Sequence, residues 1–192
     1  MTAEVLDVTG SWRSVADSAN VTIERAAGTK EPTLSWKYRM LLCEHSPIRK
    51  HVYDIIMKDL PYWVSVHLVR HKIGVEHWVR TQRSDRTGVS RSELPQGSLI
   101  EHEISANAQA LITISRKRLC RCASPETREA WEAVRNSIRE KDPVMADAMV
   151  PECIYRGWCY EFKSCGYFRT YAYQAELERY RRLPGGANVN EE

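Results

Sequence analysis

No apolar run in the chain approaches the roughly 18 residues a membrane-spanning helix needs, so no membrane span is expected. The opening MTAEVLDVTG has neither a basic start nor an apolar core, so no secretory signal is expected there and the expected location is cytoplasmic. Internal repeats and low-complexity tracts are missing as well, which removes repeat architectures from consideration. The chain also lacks a large excess of one charge. Its 28 Lys and Arg against 25 Asp and Glu leave a net charge of +3. That balance falls short of a sequence-independent DNA binder and suits an anionic small molecule equally well.

What is present is ordinary for a globular chain: 192 residues, 43% hydrophobic and 28% charged, enough to bury a sizeable core. One domain is expected over residues 1–183, with a disordered tail from Pro184 to Glu192. Short strands are expected at Val5–Val8 and His51–Leu60, and a further strand through His77–Arg83. Helices are expected at Ser11–Ala19, Leu34–Cys43, from Pro61, over Ser105–Cys120, from Pro125 and from Pro143. Ser124-Pro125-Glu126 combines a cap, a first-turn proline and an acid at the positive helix end. Ala26–Pro32 and Ser84–Ser98 read as loops. The fold class that follows is α+β, with a helix-rich C-terminal half.

The most informative stretch is Pro61–Arg83. Its helix runs into three consecutive cations, Arg70, His71 and Lys72, and Arg80 and Arg83 follow after a Gly-marked turn. Cations beside Trp63 and Trp78 suit phosphate groups, for which Arg and Lys supply charge-assisted donors and Thr81 a neutral one. The plainer reading is a basic helix end that complements the macrodipole. The turn between the two Arg clusters favours the anion pocket. In the helix read over Ser105–Cys120, Asn107, Leu111, Ile114 and Arg118 fall on one narrow stripe at 100° per residue. The stripe fits a ligand site, and equally a core helix with polar ends.

Laid in order, these pieces resemble the flavin-dependent thymidylate synthase family (thymidylate synthase complementing proteins). That family carries an Arg-His-Arg signature followed by Ile and a small residue, then Ser-x-Arg. Here the run is Arg70-His71-Lys72-Ile73-Gly74, then Thr81-Gln82-Arg83. Upstream, Glu44-His45-Ser46-Pro47 matches a His/Glu-x-Ser/Thr-Pro element. Downstream, Asn107, Arg118-Leu119 and Ala123-Ser124-Pro125-Glu126-Thr127-Arg128 keep the family's order and spacing. The match spans residues 40–150. The chain departs from the pattern at Lys72, at Val75, His77 and Trp78, and at Glu44.

The resemblance implies an antiparallel sheet flanked by helices and a dUMP-to-dTMP methyltransferase. FAD would be the cofactor, with NADPH and methylenetetrahydrofolate as co-substrates, in a homotetramer whose sites lie between subunits. It implies that Arg70, His71 and Lys72, helped by Ser46 and Asn107, hold FAD. It implies that His67, Arg70, Thr81, Gln82 and Arg83 hold a pyrimidine deoxynucleotide, with Arg118 the catalytic group at the pyrimidine. The departures leave room for another product, such as a hydroxymethylated nucleotide.

Six cysteines are present, and Cys153, Cys159 and Cys165 stand in a C-x5-C-x5-C array that the resemblance does not explain. With Cys120 or Cys122 as a fourth ligand, they suit zinc or an iron–sulfur cluster, and buried free thiols are the alternative. Cys43 reads as core, and His51 and His102 as structural or exposed residues. A non-enzymatic rival combines a Cys-bound metal with nucleic-acid stacking by Tyr171, Tyr173 and Tyr180 among Arg179, Arg181 and Arg182. Packing of that tail helix on a partner subunit is the other reading.

Overall fold

The computed structural model describes residues 1–185. Four strands, β1 (Thr2–Thr9), β2 (Val52–Pro61), β3 (Val75–Val79) and β4 (Leu99–Asn107), form one sheet in the order β1-β2-β4-β3. Every pairing is antiparallel. Strand alternation decides which face is buried: Tyr53, Ile55 and Met57 of β2 and Ile100, His102, Ile104 and Ala106 of β4 all turn into the core.

The helices are α1 (Trp12–Thr22), α2 (Leu34–Leu42), α3 (Tyr62–Leu68), the single turn α4 (Ser84–Thr87), α5 (Ala108–Arg118), α6 (Pro125–Lys141), α7 (Pro143–Ala148), α8 (Glu152–Arg156) and α9 (Tyr171–Arg181). Their caps are legible in the sequence. Ser11 closes a capping box on α1, Thr33 caps α2, and Ser124 with Pro125 starts α6. Helix α6 packs against β1 and β2 and buries Trp131, Val134 and Ile138, each worth about 1.5–3 kcal/mol of apolar burial. Trp131 Nε1 donates to Ser115 Oγ at 2.8 Å, locking α6 to α5.

A buried carboxylate joins the first and last parts of the main core. Asp142 Oδ2 accepts from Trp12 Nε1 at 2.9 Å and from Tyr53 OH at 2.8 Å, and it lies 3.2 Å from His51 Nε2. Asp142 Oδ1 caps α7 by accepting from Met145 N. Burial opposes its ionisation, but the bonds from His51, Tyr53 and Met145 more than offset that and hold the carboxyl below its ordinary range. A smaller cluster of Val150, Ile154, Tyr167, Tyr173 and Leu177 carries α8 and α9.

Three expectations about elements are corrected. The helix read over Ser105–Cys120 begins only at Ala108, because Leu99–Asn107 is a central strand and Asn107 is the helix cap. The strand placed at His77–Arg83 runs instead from Val75 to Val79, and only Arg80 N extends the pairing, to Glu101 O. Cys43 is exposed at the end of α2 and not core. Of the tail, residues 186–192 lie outside the described residues, whereas Gly185 packs against Ser35 and Arg39 of α2. Among the described residues no helix is long and apolar enough to cross a membrane.

Candidate active site

The basic knot forms because α3 ends at Leu68 and the chain turns back through Gly74 into β3. Gly74 sits at φ 71°, and a Cβ there would stand 2.5 Å from Asn107 Nδ2, so both conformation and space demand glycine. Gly74 O accepts from Asn107 N at 2.9 Å, and Asn107 Oδ1 caps α5 by accepting from Ala110 N at 2.9 Å. These bonds fix α5 against the turn, so that Arg118, at the far end of α5, reaches back to the knot.

There Arg118 Nε donates to His71 Nε2 at 2.9 Å, and Nη2 donates to His67 O at 2.5 Å. Both partners are neutral acceptors, and among the described residues no carboxylate pairs with Arg118, Arg70 or Lys72. Burial, and then Arg70, pushes the Arg118 pKa down. Burial, followed by the charge of Arg118, lowers His71 to about 4, so at neutral pH its imidazole is uncharged and can accept from the guanidinium.

Arg70 and His71 stand between two open cavities. The first, of about 410 Å³, is walled by Arg70, His71, Lys117, Arg118 and Cys120. The second, of about 270 Å³, joins Arg70, His71 and Lys72 to the apolar Ile73, Ala110 and Ile114. The arrangement offers positive charge to the first compartment, where the carboxylate on the wall, Glu161, is paired with Lys117 at 3.7 Å, and charge over an apolar floor to the second.

Histidines extend the site inward. His77 Nε2 donates to His71 O at 2.8 Å, and His77 Nδ1 lies in hydrogen-bond contact with His102 Nε2 at 3.0 Å. His102 Nδ1 is left buried without a partner, and burial followed by His77 lowers His102 to about 4. His102 is therefore fully buried structure beneath the site, and the sequence signal for it was its place in the alternation Ile100, His102, Ile104, Ala106. His67 Nδ1 lies 3.0 Å from Thr127 Oγ1, which accepts from Ser124 Oγ at 2.7 Å. Thr127 Oγ1 thus ties His67 to the Ser124 cap at the start of α6. Glu44, at φ 50°, accepts from both Gln109 and Arg116 and supports the flank of α5, a role that sequence reasoning missed.

The remaining expected residues are not gathered. Ser46 is exposed in the 3-10 turn Ser46–Lys50 and, like Asn107, lines neither cavity. Thr81, Gln82 and Arg83 line neither, and Arg83 forks onto Asp85 at 3.0 and 2.9 Å. Cys120, Cys153, Cys159 and Cys165 share a separate cavity of about 190 Å³. Among the described residues no group of three or more His, Cys, Asp or Glu is already arranged to hold a metal ion. Tyr173 is buried, so the stacking array proposed for Tyr171, Tyr173 and Tyr180 is not presented to a nucleic acid.

The sequence matches no family model and no curated protein. The fold, however, has solved counterparts. A flavin dependent thymidylate synthase, ThyX, from Helicobacter pylori, determined in complex with FAD and dUMP, superposes with a TM-score of 0.65 at 10% identity. The alignment covers 78% of this chain and 100% of that one. A UMP/dUMP methylase, PolB, from Streptomyces cacaoi, bound with 5-Br dUMP, gives 0.60 at 16% identity, over 77% of this chain and 93% of that one. At these identities the likeness establishes architecture, and the architecture is that of flavin-dependent thymidylate synthase, as the sequence resemblance implied.

Proposed function

We propose that this protein is a flavin-dependent enzyme that transfers a one-carbon unit to C5 of a pyrimidine deoxynucleotide, with dUMP as substrate and dTMP as product. The observation that carries the reading is Arg118: a half-buried guanidinium bonded only to neutral acceptors, beside Arg70, on the wall of an open cavity. A cation desolvated without a counter-ion is poised for an anionic guest. The shared fold supports the choice of guest, since one solved counterpart carries FAD and dUMP and the other carries 5-Br dUMP.

The residues present fit a flavin nucleotide by the chemistry of the donor set. Arg70 and Lys72 would meet phosphate, Ile73, Ala110 and Ile114 supply apolar surface, and the Asn107 Nδ2 left over from capping is a further donor. Ser46 would add a hydroxyl. When bound, FAD reduced by NADPH supplies the hydride, and methylenetetrahydrofolate supplies the carbon. Within the protein, Arg118 would stabilise the negative charge that makes C5 of the pyrimidine a nucleophile. His71, held uncharged, would keep the guanidinium aimed, and His67 would contact the nucleotide.

Thr81, Gln82 and Arg83 would take the 5′-phosphate, which requires Arg83 to exchange Asp85 for the guest. These three stand outside the cavities of their own chain, so in this reading a second copy contributes them and the working unit is a cytoplasmic homo-oligomer, a tetramer. Incubation with FAD, NADPH, methylenetetrahydrofolate and dUMP, followed by mass analysis of the nucleotide, tests the proposal. A gain of one methyl group supports it; a gain of one hydroxymethyl group moves the assignment to the related reaction. Unchanged dUMP from a protein that binds no flavin sinks both.

A further inference from the structure

The largest store of chemistry that the catalytic reading leaves unused is sulfur. All six cysteines are free thiols, and Cys120, Cys153, Cys159 and Cys165 wall one cavity of about 190 Å³. They come from three places: Cys120 just past the end of α5, Cys153 in α8, and Cys159 and Cys165 in the segment that follows. Chance burial of thiols does not require four to face one space from three separate segments.

The segment from Gly157 to Gly166 supplies the second observation. Both glycines are left-handed, at φ 73° and 80°, and no helix or strand lies between them. Trp158, Tyr160 and Phe162 are exposed there, so little apolar burial holds the segment down. Its tethers are few and lie at its surface: Cys122 Sγ donates to Lys163 O at 3.6 Å, Lys117 pairs with Glu161 at 3.7 Å, Trp158 meets the Phe168 ring edge-on at 4.7 Å, and the Arg156 guanidinium lies 3.9 Å over Tyr160. Ordering ten residues costs far more than such contacts return.

Cavity chemistry also discriminates among ligands. The two carboxylates present are already matched to cations, Glu152 to Arg156 and Glu161 to Lys117, each at 3.7 Å. The groups left over are sulfur, which selects soft and borderline metals over calcium or magnesium. Among the described residues the thiols do not already converge. Two of the four ride on the irregular segment, which can close onto Cys120 and Cys153 as ligation displaces the thiol protons.

We propose that Cys120, Cys153, Cys159 and Cys165 hold a thiolate-ligated metal centre, zinc or an iron–sulfur cluster, that staples the 157–166 segment to the end of α5. The centre is a structural partner of the active site, because Cys120 also lines the Arg118 cavity and stands two residues beyond Arg118.

The test is elemental analysis for zinc, iron and acid-labile sulfide on the full chain purified without oxygen, compared with the double variant Cys159→Ser/Cys165→Ser and with Cys43→Ser. The expected result is stoichiometric metal in the parent and in Cys43→Ser, and its loss in the double variant. Zinc without sulfide identifies a single-ion site, and iron with matching sulfide a cluster. Either supports the centre. A parent that carries neither metal, even after anaerobic reconstitution with zinc or with iron and sulfide, overturns it, as does a double variant that keeps its metal. Should the double variant fail to fold, thiol labelling of the native parent decides. Four thiols that react only after a chelator is added support the centre; labelling unaffected by chelator overturns it.

Discussion

A guanidinium and an imidazole share one fate in this site. Arg118 donates to His71 only while the ring is uncharged, and the ring stays uncharged partly because Arg118 is there. Replacing Arg118 by Ala is expected to abolish turnover, on the order of a 10²–10³-fold loss, as for removal of a donor aimed at developing charge. Flavin should remain bound, since Arg70 and Lys72 are untouched. The same substitution should raise the His71 pKa from about 4, which NMR titration of the ring would read directly. Unchanged turnover would remove Arg118 from its role, and an unmoved His71 pKa would refute the coupling.

The sign of the pH dependence follows from the same burial. His71 and His102 both titrate near 4 in the folded protein, against 6.5 when unfolded. Between those values the unfolded chain binds more protons, so stability is full above about pH 6.5 and falls as pH drops towards 4. Partial exposure of His71 tempers its share, and on the order of 3 kcal/mol lost by pH 4.5 is expected for the two together, most of it from His102. Denaturant unfolding at pH 7.5, 6, 5 and 4.5 would measure it, and a flat profile would contradict the buried histidine pair. Arg70, His71 and Arg118 were legible as residues because an ordered motif carries them. The His77–His102 bond was not, since it joins diagonal neighbours across β3 and β4 and needs their register, Val79 opposite His102.

At the scale of elements, the junction at Asn107 decides how α5 meets the knot. Asn107 ends a strand and caps a helix in one residue, while its amide lies against Gly74. Asn107→Ala should cost about 1 kcal/mol through the lost cap. Gly74→Ala should cost about 1–3 kcal/mol, from left-handed strain plus the clash with Asn107. Because one residue supplies the other's clash, the double variant should cost less than the two singles summed, by at least about 0.5 kcal/mol. Strict additivity in chemical denaturation would show that the two do not share the junction.

The same junction explains what was hard to read. Strand β2 and helix α6 announce themselves by clean periodicity and caps. In β4, the polar trio Glu101-His102-Glu103 masks the alternation that His102 shares with Ile100, Ile104 and Ala106, and the Ala-rich run after it extends the apparent helix backwards across Asn107. Here the pairing of β4 with both β2 and β3 overrides local propensity.

Across the whole molecule, the question is what completes a site whose pieces face outward. Ile73 is 92% exposed beside the second basic cavity, and Trp78 on the edge strand β3 and Leu99 on β4 are each more than half exposed. Large exposed apolar groups, with Ile73 directly on the wall of a basic cavity, are what a subunit interface would cover. If a second copy supplies Thr81–Arg83 and covers Ile73, assembly and flavin retention are linked by mass action, and dilution must weaken both together. Sedimentation over a wide range of protomer concentration, with flavin fluorescence recorded on the same samples, would follow the two at once. Ile73→Glu places an unpaired charge in the proposed contact and should shift both transitions to higher concentration in parallel, while leaving thiol-bound metal in place. A monomer that keeps its flavin at every dilution would mean that each chain holds the cofactor alone, and the role assigned to Thr81, Gln82 and Arg83 would fall with the shared site.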